Sequence, residues 1–186
     1  MKQIIDENIY LEGDRIYLRY LKKEDALDVY DNIMHNKNVL KYYIAEYADN
    51  RDTFTIDKLI ENSKKVNYYI LGIVLKSTNE VIGIINQCSI PGSCFNSSEV
   101  GYALGEKYWG NGYAAEALKL FMDYLFSTGI HKVYAKHMVE NLASGRVMQK
   151  CGMLYEGKQI DDLYYQNKYH DCECYYLINP YEKSHQ

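Results

Sequence analysis

Apolar positions along this chain switch between two spacings, and the switch marks out its elements. From Tyr113 onward, Ala114, Leu118, Phe121, Met122 and Leu125 fall on one face of a helix. Ahead of it, residues 100–104 form a short apolar run with β-branched and aromatic members beside glycines, which predicts a strand. Trp109-Gly110-Asn111-Gly112 between them predicts a sharp turn.

The rest of the chain reads in the same way. Residues 1–14 form an extended lead-in, and residues 15–20 alternate as a first strand. Leu21-Lys22-Lys23-Glu24-Asp25 opens a helix with Leu27, Tyr30, Ile33 and Met34 on one face, broken at Asn36-Lys37-Asn38. Residues 39–50 are aromatic and irregular, with Tyr42, Tyr43 and Tyr47 close together. A second helix starts at Asp52 or Thr53 and runs to about Lys65, with Ile56, Leu59 and Ile60 inward. Residues 68–75 and 81–88 read as a hairpin over Lys76-Ser77-Thr78-Asn79-Glu80, and residues 90–98 as a loop. Ser127-Thr128-Gly129 stops the long helix. A strand follows over 132–138, then a helix over 142–150 ended by Gly152. Strands over 153–160 and 169–178, turning at Gln166-Asn167-Lys168, close the sheet. The expected fold is α/β of the α+β kind: a mixed, largely antiparallel sheet flanked by helices, in one domain over 1–186.

Composition narrows the function classes. A chain of 186 residues with 47% hydrophobic and 25% charged content suits one soluble domain with a full core. Its net charge of −4 argues against a nucleic-acid surface spread over the molecule and mildly favours a cationic substrate. The longest apolar run is far short of a membrane span, and the first ten residues, with Asp6 and Glu7, do not read as a secretory signal. Cys88, Cys94, Cys151, Cys172 and Cys174 contain no Cys-x-x-Cys pair and no metal-ligand spacing, so no metal and a reduced, cytoplasmic setting are expected. The 21 tyrosines find no functional account in the sequence.

A strand, a glycine turn and a helix together make an anion-binding device. The first helical N–H groups lack partners and carry partial positive charge, and glycines admit a close approach to the backbone. A phosphate or pyrophosphate fits there. The bland alternative is that Asn111 merely caps the helix. The Gly-x-x-x-x-Gly-Lys-Ser/Thr phosphate loop is absent. A dinucleotide fingerprint starting at Gly110 and tolerating Ala115 would lack its acidic partner, since residues 130–138 hold no acid.

Lys107-Tyr108-Trp109-Gly110-Asn111-Gly112-Tyr113-Ala114 resembles the Arg/Gln-x-x-Gly-x-Gly/Ala signature of the GNAT superfamily of acetyl-CoA-dependent N-acetyltransferases. A second stretch, Asn141-Leu142-Ala143-Ser144-Gly145-Arg146-Val147-Met148-Gln149-Lys150-Cys151-Gly152-Met153, is similar to a segment of the branch holding ribosomal-protein N-terminal and spermidine acetyltransferases. With Glu99-Val100-Gly101-Tyr102, the likeness spans about residues 80–160. Lys107, Gly145, Gln149 and Met153 depart from the usual pattern, and Gly145 costs about 1 kcal/mol against alanine inside a helix.

The resemblance implies acetyl-CoA as co-substrate and a primary amine as acceptor: a protein N-terminus, a polyamine or an amino-bearing small molecule. It implies that the turn from Gly110 through Asn111, Gly112 and Tyr113 to Ala114 holds the pyrophosphate, with Lys107 at the head of the signature. Main-chain groups of Tyr102, Ala103 and Leu104 would pair with the pantetheine arm as an added strand does, one amide near Leu104 polarising the thioester. Ser144 is the implied proton donor to the leaving thiolate and Asn141 a cofactor contact, although the same two residues can simply cap their helix. Glu99 is the candidate base for the ammonium proton, with a solvated strand-end carboxylate as its alternative. Arg146 and Lys150 are set aside as solvated charges. His137 reads as structural, and His131, His170 and His185 as peripheral. The substrate walls are expected from residues 30–65 and 159–171, where Tyr42, Tyr43, Tyr47, Asp161 and Asp162 would favour a cation. A homodimer is suggested by the resemblance alone. Competing readings are a non-catalytic acyl-CoA-binding module and, far below it, a nucleotide-dependent oxidoreductase.

Overall fold

The computed structural model describes residues 9–63, 69–88 and 96–182. The chain opens with β1 (Tyr10–Glu12) and β2 (Ile16–Tyr20), paired antiparallel across a bend closed by the Gly13 amide on the Ile16 carbonyl at 2.9 Å. The expected lead-in therefore contains a strand, which its short length hid. Asp25 closes the next corner. Its carboxylate takes both Nη atoms of Arg19, at 2.7 and 2.9 Å, and the Lys22 amide at 2.7 Å.

The helix expected after residue 20 is three short pieces: a 3₁₀ turn (Lys23–Asp25), α1 (Ala26–Val29) and a π-turn (Tyr30–Met34). Tightening at one end and widening at the other shift the buried stripe to Val29, Tyr30, Ile33 and Met34. Leu27, assigned to that stripe by ideal spacing, is exposed. Asn36 ends this segment and starts another, its side chain accepting from the Asn38 and Val39 amides to cap α2 (Lys37–Leu40). The next helix, α3 (Asp57–Ser63), begins four to five residues later than expected, and its expected end at Lys65 lies outside the described residues.

Next come β3 (Ile70–Leu75) and β4 (Val81–Cys88), then β5 (Ser97–Leu104), α4 (Tyr113–Ser127), β6 (Lys132–Met138) and α5 (Leu142–Lys150). β7 (Leu154–Tyr165) and β8 (Lys168–Ile178) form the closing hairpin, longer than expected. Gln166 and Asn167, at φ +51° and +62°, make its two-residue turn. The sheet has eight strands in the order β1-β2-β3-β4-β5-β6-β8-β7. Its neighbours are antiparallel except β5 and β6, which α4 joins by a crossover. One face packs Val100, Leu104 and Val133 against Leu118, Phe121 and Leu125 of α4; the other packs Ala103 and Ile84 against Val29 and Ile33. Among the described residues no helix is long and apolar enough to cross a membrane.

Gly145 explains how closely α5 sits on the sheet. A Cβ there would stand 2.7 Å from Nε2 of His137, a buried ring whose Nδ1 meets the Met138 carbonyl at 2.8 Å. The glycine lets the helix sit closer to its neighbour rather than leaving room for a ligand. Gly145→Ala gains helix propensity but overpacks this contact, for a net loss of about 1–2 kcal/mol. The check is the urea midpoint, which should fall with an unchanged denaturant slope.

Candidate active site

β5 and β6 pair over three rungs only, from Ser97↔Lys132 to Glu99↔Tyr134. Beyond Glu99 the two strands part. β5 continues paired to β4 along its other edge, with Tyr102, Ala103 and Leu104 opposite Ile85, Ile84 and Gly83. The edge of these three residues that faces β6 is thus left without a strand. A cavity of about 430 Å³ fills the opening. Tyr102, Ala103 and Leu104 line one side, Gly110, Gly112 and Ala114 one end, and Asn141, Ser144, Arg146 and Lys150 the wall opposite.

At that end, Gly110 and Gly112 stand at φ +79° and +83°, a region closed to most side chains. A Cβ at Gly110 would meet nothing within 4 Å, so the backbone lies open to approach. Asn111 does not cap the helix. Its Nδ2 turns back to the carbonyls of Tyr108 and Trp109, at 3.2 and 3.1 Å, and folds the turn on itself. Gly112 is the cap residue and offers no side chain, so the amides opening α4 keep their dipolar end free of any side-chain cap. Trp109 pins the turn to the strand through Nε1 on the Leu104 carbonyl at 2.7 Å.

Two cations flank this end. Arg15 Nη2 and Lys150 Nζ lie 3.6 and 3.7 Å from where a Gly112 Cβ would be. Arg15 is held by Glu116 at 2.9 Å and lies over the Tyr113 ring, 4.6 Å from its centroid. Burial works against the Glu116 charge, but the Arg15 amide and guanidinium and the Ile16 amide outweigh it and hold its carboxyl below the usual range. Glycines in this conformation, an uncapped helix end and the Lys150 ammonium suit a pyrophosphate.

Midway along the cavity, the Tyr102 hydroxyl meets Ser144 Oγ at 2.9 Å and the Ser144 carbonyl at 3.1 Å. Burial pushes this phenol well above its ordinary value, with the Ser144 contact only partly offsetting it, so it stays protonated. Asn141 caps α5 by accepting from the Ser144 amide at 3.3 Å. Asn141 thus caps α5 and also lines the cavity.

Four sequence-predicted residues are not in the lining. Glu99 stands at the last β5–β6 rung, on the same side of the pleat as Ala103, where its charge acts on Lys136. Burial works against the Lys136 ammonium, yet Asp162 at 2.9 Å and Glu99 outweigh it and raise its pKa. Lys107 turns away to Glu80 at 2.8 Å. Asn111 and Tyr113 shape the turn from outside.

Conversely, Arg146 and Lys150, set aside in the sequence, line the cavity, and Arg15 and Trp109 were not singled out. A basic residue one or two turns apart on a helix beside a glycine turn was a usable signal for the first pair. For Arg15, 96 residues from Asn111, no local signal exists. Of the residues expected in the substrate walls, Tyr42 and Tyr43 line the cavity, whereas Tyr47 turns to His35 at 3.3 Å and Asp162 is spent on Lys136. Tyr165 at the tip of the last hairpin donates to the carbonyls of Leu40 and Tyr43, at 2.8 and 3.3 Å, and holds that wall in place. His170, expected at the periphery, is buried, its Nε2 on the Tyr165 carbonyl at 3.2 Å. Burial pushes the thiols of Cys151 and Cys172 up to about 11, which keeps them protonated and poor nucleophiles.

Comparison with known proteins agrees with this geometry. Residues 15–154 match the family model described as an acetyltransferase (GNAT) domain. The chain is 27% identical over 178 residues to the uncharacterised N-acetyltransferase YoaA of Bacillus subtilis (strain 168), covering 92% of this chain and 98% of that one. It is 25% identical over 170 residues to the [ribosomal protein uS5]-alanine N-acetyltransferase of Escherichia coli (strain K12), covering 88% and 87%. A crystal structure of a GNAT-family acetyltransferase from Bacillus anthracis superposes with a TM-score of 0.78 at 24% identity, covering 92% of this chain and 99% of that chain.

If the glycine end is the anion site, adding negative charge there must weaken coenzyme A. Gly112→Asp should weaken it about a hundredfold or more, and Lys150→Glu about tenfold, the latter less at high salt. Calorimetric titration checks both; an unchanged Kd in Gly112→Asp would move the phosphates elsewhere.

Proposed function

This chain belongs to the GNAT acetyltransferase family, and from that premise we propose how its residues work. It is an acetyl-CoA-dependent N-acetyltransferase acting on a primary amine. The observation that carries the residue-level reading is the unpaired edge of Tyr102–Leu104, which runs from the glycine end of the cavity to the Tyr102–Ser144 hydroxyl pair.

Acetyl-CoA supplies the thioester that the amine attacks. Gly110, Gly112 and Ala114, with Arg146 and Lys150, hold its phosphates, and Asn111 and Tyr113 shape the turn that presents these amides. The open β5 edge accepts the pantetheine arm as a further strand would. An amide near Leu104 polarises the carbonyl; the Leu104 carbonyl is already occupied by Trp109. Asn141 orients the start of α5. Ser144 gives the proton that the leaving sulfur needs and regains one from solvent, while Tyr102, kept protonated by burial, holds the Ser144 hydroxyl in place through their shared hydrogen bond. Glu99, at the floor of the gap, takes the ammonium proton through water.

Acceptor choice rests on the wall formed by Asn38, Tyr42 and Tyr43. The uS5-alanine acetyltransferase among its relatives makes a protein N-terminus the first acceptor class to test, ahead of polyamines and small amines. The proposed setting is the cytoplasm.

Turnover should appear as thiol release from acetyl-CoA in the presence of alanine-leading peptides or polyamines. Ser144→Ala should lower kcat about a hundredfold with little change in acetyl-CoA KM, and Glu99→Gln should do the same. Full activity in Ser144→Ala would mean that the thiolate takes its proton from solvent.

A further inference from the structure

Arg15 belongs to neither sequence motif, yet its guanidinium reaches into the turn. Nη1 donates to the Asn111 carbonyl at 2.9 Å, and Nε donates to Glu116 Oε2 at 2.9 Å. Glu116 Oε1 in turn accepts from the Arg15 amide at 2.8 Å and the Ile16 amide at 3.3 Å. The guanidinium is thus anchored through its own backbone, through α4 and over the Tyr113 ring. Glu116 neutralises its charge, so net attraction for a phosphate is not its main contribution.

What Arg15 determines is an orientation. The chain contains no cis peptide bond among the described residues, and in a trans peptide the C=O and N–H point opposite ways. Holding the Asn111 carbonyl toward Arg15 therefore turns the amide of Gly112, a cavity-lining residue, away from it. Without that hold the Asn111–Gly112 peptide can flip at low cost, because glycine takes either sign of φ.

We propose that Arg15 is a positioning residue for the acetyl-CoA site: by gripping the Asn111 carbonyl it locks the amides of the glycine turn in the orientation that receives the phosphates. This rests on the reading of the turn as the pyrophosphate cradle. A planar fork is needed, since the same group must hold Glu116 and the carbonyl at once. Lysine carries its donors on a single nitrogen, without the fork that places Nε on Glu116 and Nη1 on the carbonyl.

Trp109 is the single tryptophan of the chain and lines the cavity, so its fluorescence reports binding. Coenzyme A and pantetheine, which lacks the phosphates, are titrated into the wild type, Arg15→Met and Arg15→Lys. The expected result is a loss of about tenfold or more for coenzyme A in both variants and less than about twofold for pantetheine. Equal losses for the two probes would make Arg15 merely structural, and recovery in Arg15→Lys would make its charge the cause; either overturns the proposal. Unchanged coenzyme A binding in both variants overturns it too. A wild type that binds pantetheine but gains nothing from the phosphates would instead overturn the cradle reading beneath it. If Arg15→Met fails to fold, Arg15→Lys carries the test.

Discussion

Everything in this fold that bears on chemistry depends on one unmet pairing. β5 and β6 run parallel, so the chain must cross from one to the other through α4, and the crossover sets them side by side for three rungs before they part. Backbone groups left open inside a protein need partners. Here the open edge lies along a cavity, one end of which is the start of α4 itself. The crossover helix therefore creates the gap and supplies the charge at its mouth. The shape left open, an anion-favouring end followed by an extended strand edge, is what the proposed acetyl-CoA site relies on.

The parts of this arrangement that the sequence made legible are the local ones. The glycine turn, α4, α5 and the hairpin turns are each specified by residues within a few positions of one another and lie where spacing placed them, although β7 runs five residues past its expected end. The first helix was read wrongly because a π-turn breaks the period on which the reading relied. Asn111 was read as a possible cap because an asparagine before a helix usually is one; here the carbonyls of Tyr108 and Trp109 compete for its amide and win. Arg15 and the hold of Tyr165 on residues 40–43 escaped for another reason. Their partners lie scores of residues away, and only the folded sheet brings them together.

Electrostatics divides the site by function. Positive charge is concentrated at the glycine end, where Lys150 comes from α5 and Arg15, compensated by Glu116, from the residue just before β2. Toward the floor the charges are compensated: Lys136 is matched by Asp162 and lies under the influence of Glu99. Between them, Tyr102 and Ser144 are neutral and protonated. A charge gradient of this kind orients a long ligand before any specific contact forms.

The hold of Tyr165 on the carbonyls of Leu40 and Tyr43 has a structural consequence. The cavity wall carrying Tyr42 and Tyr43 hangs from a hairpin tip at the edge of the sheet, whereas the opposite end of the cavity is built from β5, α4 and α5. Insertions or exchanges in a two-residue turn are among the changes a protein tolerates best. A change at that tip would therefore move the segment at residues 40–43 while leaving the β5, α4 and α5 end of the cavity in place.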